Sequence, residues 1–401
     1  MACMAGSSEL PAAQTSRDYV ELSIAGVCGL ALAFTALFLC VVPLSGSIAG
    51  GRDFVQYWAT GQQLVHRADP YDAGAVMWIE HSAGLPAGYP VLFVRNPPWA
   101  LPLVFPLGLV GLRVGAFLWS LALLGCLLLS VRILWILAGR PGDHLHWLGY
   151  SFAPALICIF MGQMSLFILL GLVLFLRFHG SRPFLAGASL WLCALKPHLF
   201  LPFGVALLLW IFVTRSYKLL GGAALAMAVS CAVTWLLVPP AWTSYTRMMR
   251  TSSIDNQFVP CFGVAGRLWL DPRAMWLQYL PVALACAWAV YYYWSHRQGW
   301  DWMKNGSLLM LVSLFAAPYC WFYDQGLAIP ALLHGAYGAR SRFLLVFLAL
   351  GNVVLYVALC TIKITSALYL WTAPAWLAWY IVARASARER AGQPADQLAG
   401  R

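Results

Sequence analysis

Residues 97–137 read PPWALPLVFPLGLVGLRVGAFLWSLALLGCLLLSVRILWIL. The run is too long for one simple helix and is broken at Pro102, Pro106 and Gly111. Proline removes a backbone donor and clashes with the preceding turn, so the first part reads as an interfacial or re-entrant piece. A full membrane span then starts at about Leu112. Working outward, apolar stretches able to cross a hydrocarbon core of about 30 Å recur along nearly the whole chain. Of the 401 residues, 62% are hydrophobic and 10% charged, against about 45–50% and 25% in a soluble domain. The solvent around such a chain is mostly lipid. The expected fold class is an all-α polytopic membrane protein, with residues 1–401 forming one membrane domain whose spans run from about 22 to 383.

A polar segment with Arg17 precedes an apolar run at 22–42 with no small-residue cleavage site after it. This reads as a signal anchor retained as the first helix. Further spans are expected at about 148–161, 163–178, 183–195, 197–213, 217–238, 274–295, 305–319, 324–338, 342–360 and 366–383. With the first two, the total is twelve. Several are shorter than the roughly 20 residues an upright helix needs, so kinked or paired half-spans are expected among them. A long first outer loop covers 44–97, a second covers 239–273, and 384–401 forms a tail.

The formal charge of +11 could suggest a nucleic-acid partner, but the Lys and Arg residues sit in short clusters between apolar runs. Cytoplasmic loops collect such residues. Twelve crossings place most of the 25 Lys and Arg, with both termini, on the cytoplasmic side of an inner membrane. Nucleic acid is not an expected partner. The 11 cysteines include no C-x-x-C pair, and Cys40, Cys158, Cys193 and Cys286 lie in apolar segments as small core or lipid-phase residues.

In this topology the unusual polar residues gather on the outer side: Asp53, Asp69, Asp72, Asn96, Gln163, Lys196, His198, Asp255 and Asp324. A transporter places ionisable groups near the midplane, often in broken helices of two repeats, and no repeat is visible. A polar site at the outer face, roofed by a long loop, suits an enzyme acting on a lipid-linked substrate. The rival reading is a transporter or flippase for a lipid-linked or small polar substrate.

Five segments, GRDFVQYWATGQQLVHRADPYDA (51–73), RNPPWALPLVFPLGLV (95–110), MGQMSLFILLGLVLFL (161–176), AGASLWLCALKPHLFLP (186–202) and APYCWFYDQGLAIPALL (317–333), resemble glycosyltransferase family 87 in this order. That family includes polyprenyl-phosphate-mannose-dependent mannosyltransferases of bacterial envelopes and belongs to the GT-C class of membrane glycosyltransferases. The resemblance implies a GT-C-like bundle of about twelve helices. It also implies a polyprenyl-phosphate sugar donor, a glycolipid or glycan acceptor, and a lipid bilayer around both. The sugar is a hexose, with mannose leading and a pentofuranose as the alternative. No cofactor is implied beyond the donor itself, and no metal, since no Asp-rich metal cluster appears.

Asp53 stands where the family places a catalytic aspartate, and its implied role is general base, taking the acceptor hydroxyl proton. Its local alternative is a helix N-cap. Lys196 and His198, in LKPHLF, are candidates for the leaving phosphate, the alternative for the lysine being a side chain that snorkels to the interface. Gln163 either holds sugar hydroxyls or satisfies exposed backbone between two short spans. Tyr57 and Tyr71 offer aromatic packing or a sugar platform, and Asn96 joins the substrate-binding candidates. Asp324 either caps the following span or faces the site. Some relatives carry a His pair where this chain has Asp324 and Gln325, so a histidine role does not carry over there. In ADPYD, Asp and Pro open turns. His144 and His146 lie in an expected inner loop, away from the site.

Overall fold

A computed structural model describes residues 53–86, 88, 91–92, 94–251, 258–339 and 341–391, with isolated helical positions between 22 and 33 and side chains as far as 387. The expected first span and Asp255 lie outside the described residues. Among the described residues there is no strand.

The described part of the first loop folds into two short helices, α1 (Phe54–Val65) and α2 (Ala73–Ser82). A broken helical stretch, Pro98–Leu109, follows, interrupted where Pro102 and Pro106 fall. The long helix α3 (Leu112–Leu137) then begins at the residue where the sequence places the span. Next come α4 (Ala153–Met161), α5 (Ser165–Phe178), α6 (Pro183–Cys193), α7 (Leu201–Thr214) and α8 (Tyr217–Leu237). The second loop contains α9 (Ala241–Thr251) and α10 (Phe262–Leu270). The remainder is α11 (Met275–His296), α12 (Ser307–Ala316), α13 (Ile329–Gly338), α14 (Arg342–Thr361) and α15 (Thr372–Ala391).

Among the described residues, four helical segments are long and apolar enough to cross a membrane: Leu112–Leu137, Pro197–Thr214, Tyr217–Leu237 and Arg342–Thr361. The count of twelve crossings is not established by length. The 14 residues of α5, at about 1.5 Å each, reach about 21 Å, short of a core of about 30 Å.

The packing is that of a membrane protein. Helix α8 turns Leu225, Val229, Trp235 and Leu236 outward and buries Gly222, Ser230 and Thr234. Small and polar residues inside with large apolar ones outside is the arrangement expected when lipid is the solvent and helices meet through close approach. A Cβ on Gly187 of α6 would lie 1.8 Å from the Leu219 carbonyl oxygen, and one on Gly222 2.0 Å from that of Phe184, so α6 and α8 touch backbone to backbone. Ser230 Oγ donates to the Trp99 carbonyl (2.6 Å) and Thr234 Oγ1 to that of Pro98 (2.8 Å). The two hydroxyls tie α8 to carbonyls of the proline-broken stretch, that of Pro98 also accepting the Leu101 N–H.

Candidate active site

Asp53 is placed by α1, which is fastened along one side. Trp58 Nε1 donates to the Val110 carbonyl (3.0 Å) and Gln62 Nε2 to that of Gly108 (3.0 Å). Asp53 occupies the N-cap position, yet its side chain makes no capping hydrogen bond. Its Oδ2 instead accepts from Gln163 Nε2 at 2.7 Å, across 110 residues.

Gln163 is delivered by a turn. Helix α4 ends at Gly162, whose φ is +75°, and the Gln163 N–H donates to the Cys158 carbonyl (2.9 Å). This is the glycine-closed helix end in which a left-handed residue reverses the chain. A Cβ on Gly162 would also sit 2.6 Å from Phe54 Cβ, so a glycine here lets the turn press against the start of α1. Trp119 of α3 holds the turn from behind, donating to the Gly162 carbonyl at 2.7 Å. The Gln163 side chain satisfies no backbone. Its Oε1 accepts from Tyr57 OH (2.8 Å) and lies 3.5 Å from Lys196 Nζ.

Lys196 follows α6 and precedes Pro197. A residue before proline is steered away from helical torsions, and Lys196 has φ −135° and ψ 73°. Its ammonium pairs with Asp324 Oδ1 at 2.7 Å, with the carboxylate side chain 0% and the lysine side chain 11% exposed. Ser165 Oγ donates to the same oxygen at 2.5 Å and lies 3.4 Å from Lys196 Nζ. The ammonium also sits 5.0 Å above the Tyr323 ring. The Asp324 oxygens divide: Oδ2 accepts from the Trp321 N–H (2.9 Å), bracing the short helix Phe322–Ala328, while Oδ1 takes the lysine.

One continuous set of side chains thus joins Tyr57, Asp53, Gln163, Lys196, Ser165 and Asp324. The other sequence candidates lie beside it in different ways. Asn96 spends its amide on the Leu195 carbonyl (2.8 Å) and Met164 Sδ (3.1 Å), which fixes the approach to Lys196. His198 packs edge-on against Tyr319 with ring centroids 5.9 Å apart, and its buried Nε2 has no hydrogen-bond partner among the described residues. Tyr71 OH donates to the Asn96 carbonyl (2.9 Å) and its ring meets Tyr245, so it orders the loop. Gln325 turns the other way, donating to Thr372 Oγ1 (2.7 Å) and accepting from Trp376 Nε1 (3.1 Å). Asp72 caps α2 and Asp69 accepts from the Tyr71 N–H, as turn chemistry leads one to expect. His146 lies among Trp135, Trp147 and Tyr150.

The sequence reading missed Ser165 and Arg95. Ser165 stands two residues after Gln163, where a buried helix-opening hydroxyl could have been a signal. Arg95 precedes Asn96 within a quoted motif.

Burial lifts the Asp53 carboxyl above the ordinary carboxylate range. The Gln163 hydrogen bond and the Lys196 charge oppose that rise, and the nearby Asp324 carboxylate adds to it. A half-buried carboxylate with raised basicity and one free oxygen can take a proton from a hydroxyl brought against it.

The model of glycosyltransferase family 87 matches residues 93–318, more than half of the chain. The matched region holds Arg95, Asn96, Gln163, Lys196 and His198, and leaves out Asp53, Tyr57 and Asp324. No curated protein and no solved structure matches the chain.

Proposed function

Since the chain belongs to glycosyltransferase family 87 and is a membrane glycosyltransferase, we propose that it moves a hexose, mannose first among the candidates, from a polyprenyl-phosphate donor. The acceptor is an envelope glycolipid or glycan at the outer face of the cytoplasmic membrane. The observation that carries this reading is the side-chain chain from Asp53 through Gln163 to Lys196 and Asp324, which sets a candidate base within one glutamine of a cation.

In the proposed step the acceptor oxygen attacks the anomeric carbon and the bond from that carbon to the phosphate oxygen breaks. The electron pair leaves with the phosphate, whose charge becomes more negative by one. The acceptor proton goes to Asp53. A single displacement inverts the anomeric configuration. Lys196 meets the leaving oxygen by exchanging its long contacts to Ser165 (3.4 Å) and Gln163 (3.5 Å) for the phosphate while keeping Asp324. His198 Nε2, buried and without a hydrogen-bond partner among the described residues, is a second group for the donor. Gln163 fixes the direction of the Asp53 carboxylate through one N–H while its carbonyl oxygen faces Tyr57 and Lys196. The step uses no metal and is expected to survive chelation.

The test is transfer by the purified protein in detergent, using labelled polyprenyl-phosphate hexoses and an extracted glycolipid acceptor. Sugar transfer with release of polyprenyl phosphate is the expected result. Absence of transfer from every such donor, with substrate movement only in sealed vesicles, would replace the enzyme by a transporter.

A further inference from the structure

The charges around Gln163 do not suffice for a lipid phosphate. Asp53 and Asp324 are carboxylates, and the Lys196 ammonium is already paired with Asp324 at 2.7 Å. The donor adds one negative charge on arrival, and its phosphate gains another as the sugar departs. A cation without a carboxylate of its own is required.

Arg95 meets that requirement. Asn96, the next residue, is tied through its side chain to the Leu195 carbonyl (2.8 Å), and Trp99 Nε1 donates to that of Ala194 (2.8 Å). Trp191 Nε1 returns a bond to the Trp99 carbonyl at 3.2 Å. These three bonds lay residues 95–99 along the end of α6, one step from Lys196. On the other side, the Arg95 charge acts on the hydroxyl of Tyr319, the ring against which His198 packs. Arg95 is half-buried, and among the described residues no carboxylate or hydrogen-bond acceptor engages its guanidinium. His198 Nε2, on the same rim, is likewise unpartnered and buried. A buried imidazole nitrogen without a hydrogen-bond partner is costly, and a half-buried guanidinium that no acceptor engages among the described residues keeps its donors for an incoming anion. A phosphate bound at this end of α6 supplies the acceptor that both groups lack.

We propose that Arg95 is the residue that binds the donor's phosphate, through the two-pronged contact a guanidinium makes with phosphate oxygens. The inference rests on the lipid-phosphate donor proposed above and assigns its charged head to a residue the sequence reading passed over. Lys196, held by Asp324 and Gln163, then serves the oxygen that leaves the sugar, and Arg95 supplies the charge that keeps the headgroup in place. The planar fork matters here, because a lysine offers only a point charge.

The experiment is equilibrium binding of polyprenyl phosphate to the full-length protein in detergent, with polyprenol of the same chain length as neutral control. Transfer activity of the wild-type protein is measured on the same preparations. Arg95→Gln is expected to weaken polyprenyl phosphate binding roughly tenfold to a hundredfold, the range for a lost charged hydrogen bond. Polyprenol binding should be unchanged, and Arg95→Lys should fall between. Arg250→Gln, on the exposed face of α9, should bind as wild type does. Wild-type binding by Arg95→Gln, in a protein that still transfers sugar, overturns the assignment and leaves the function standing. If Arg95→Gln does not fold, full wild-type binding by Arg95→Lys overturns it instead. A wild-type protein that does not distinguish polyprenyl phosphate from polyprenol overturns the donor reading, and Arg95 with it.

Discussion

Two aspartates open the two helices of the first loop, and they behave oppositely. Asp72 sits before α2 and its Oδ1 accepts from the N–H groups of Gly74 (2.9 Å) and Ala75 (3.1 Å). Asp53 sits before α1 in the same position and leaves those donors alone, reaching instead to a glutamine 110 residues away. An N-cap is worth about 1 kcal/mol; the extended backbone of Asp72 (ψ 110°) allows it, and the helical backbone of Asp53 (ψ −12°) forgoes it. The difference teaches that an aspartate at a helix start is explained by its neighbours only when its oxygen points at them. Asp72 is fully accounted for by capping, whereas Asp53 is held by long-range contacts in a place where its second oxygen is free.

The sharpest way to break the comparison is Asp53→Asn. It should lower transfer by about a hundredfold or more, as for loss of a general base, with a melting temperature near wild type because no cap is lost. The wild-type acid limb of the pH–rate profile should lie above the ordinary carboxylate range, since burial raises Asp53. A base works when deprotonated, so activity falls as pH drops through that raised value. Near-normal turnover in Asp53→Asn would make Asp53 a structural residue after all.

Lys196→Gln alone strands the buried Asp324 carboxylate, and breaking such a pair costs about 3–5 kcal/mol. Loss of activity in that variant is therefore ambiguous. The pair Lys196→Gln with Asp324→Asn removes both charges, and thermal unfolding should recover most of the lost stability. Transfer should stay low. Activity restored along with stability would reduce Lys196 to a structural role.

Gly162→Ala should destabilise by about 1–2 kcal/mol from the left-handed backbone alone, and by more from the overlap with Phe54. Moving Phe54 moves Asp53, so turnover should fall together with the melting temperature. Unchanged turnover would show that the turn does not position the base. The smallest effect belongs to Asp72→Ala, which should cost about 1 kcal/mol and leave turnover within twofold by roughly the same reasoning.

Much of the helical layout was legible in sequence because proline and glycine punctuate it. The break before Leu112, the start of α6 at Pro183 and the end of α4 at Gly162 are each set by one residue's backbone chemistry. The number of crossings was not legible. A 9-residue helix such as α4 and a 26-residue one such as α3 are both predominantly apolar, and composition says nothing of depth. In the site, residue types could be named but not their mutual use. Nothing local says that Gln163 bridges Asp53 and Lys196, or that the Asp324 oxygens divide between a backbone cap and an ammonium. Those assignments depend on which segments the fold brings together. Arg95 was hidden for a related reason: a cation beside a membrane helix normally needs no explanation, and only the absence of a partner singles it out.

The Lys196–Asp324 pair also has a history in time. Asp324 lies 128 residues further along the chain, so at about 5–20 residues per second the lysine is synthesised roughly 6–26 s before its counter-ion. For that interval the ammonium must remain in contact with water or headgroups, because an isolated charge is costly within hydrocarbon. The break at Lys196–Pro197 ends α6 just before the lysine, so the ammonium stands past the helix end while the segment bearing Asp324 is still to be made. Burial of the pair then marks the moment at which the two parts of the site are joined during assembly.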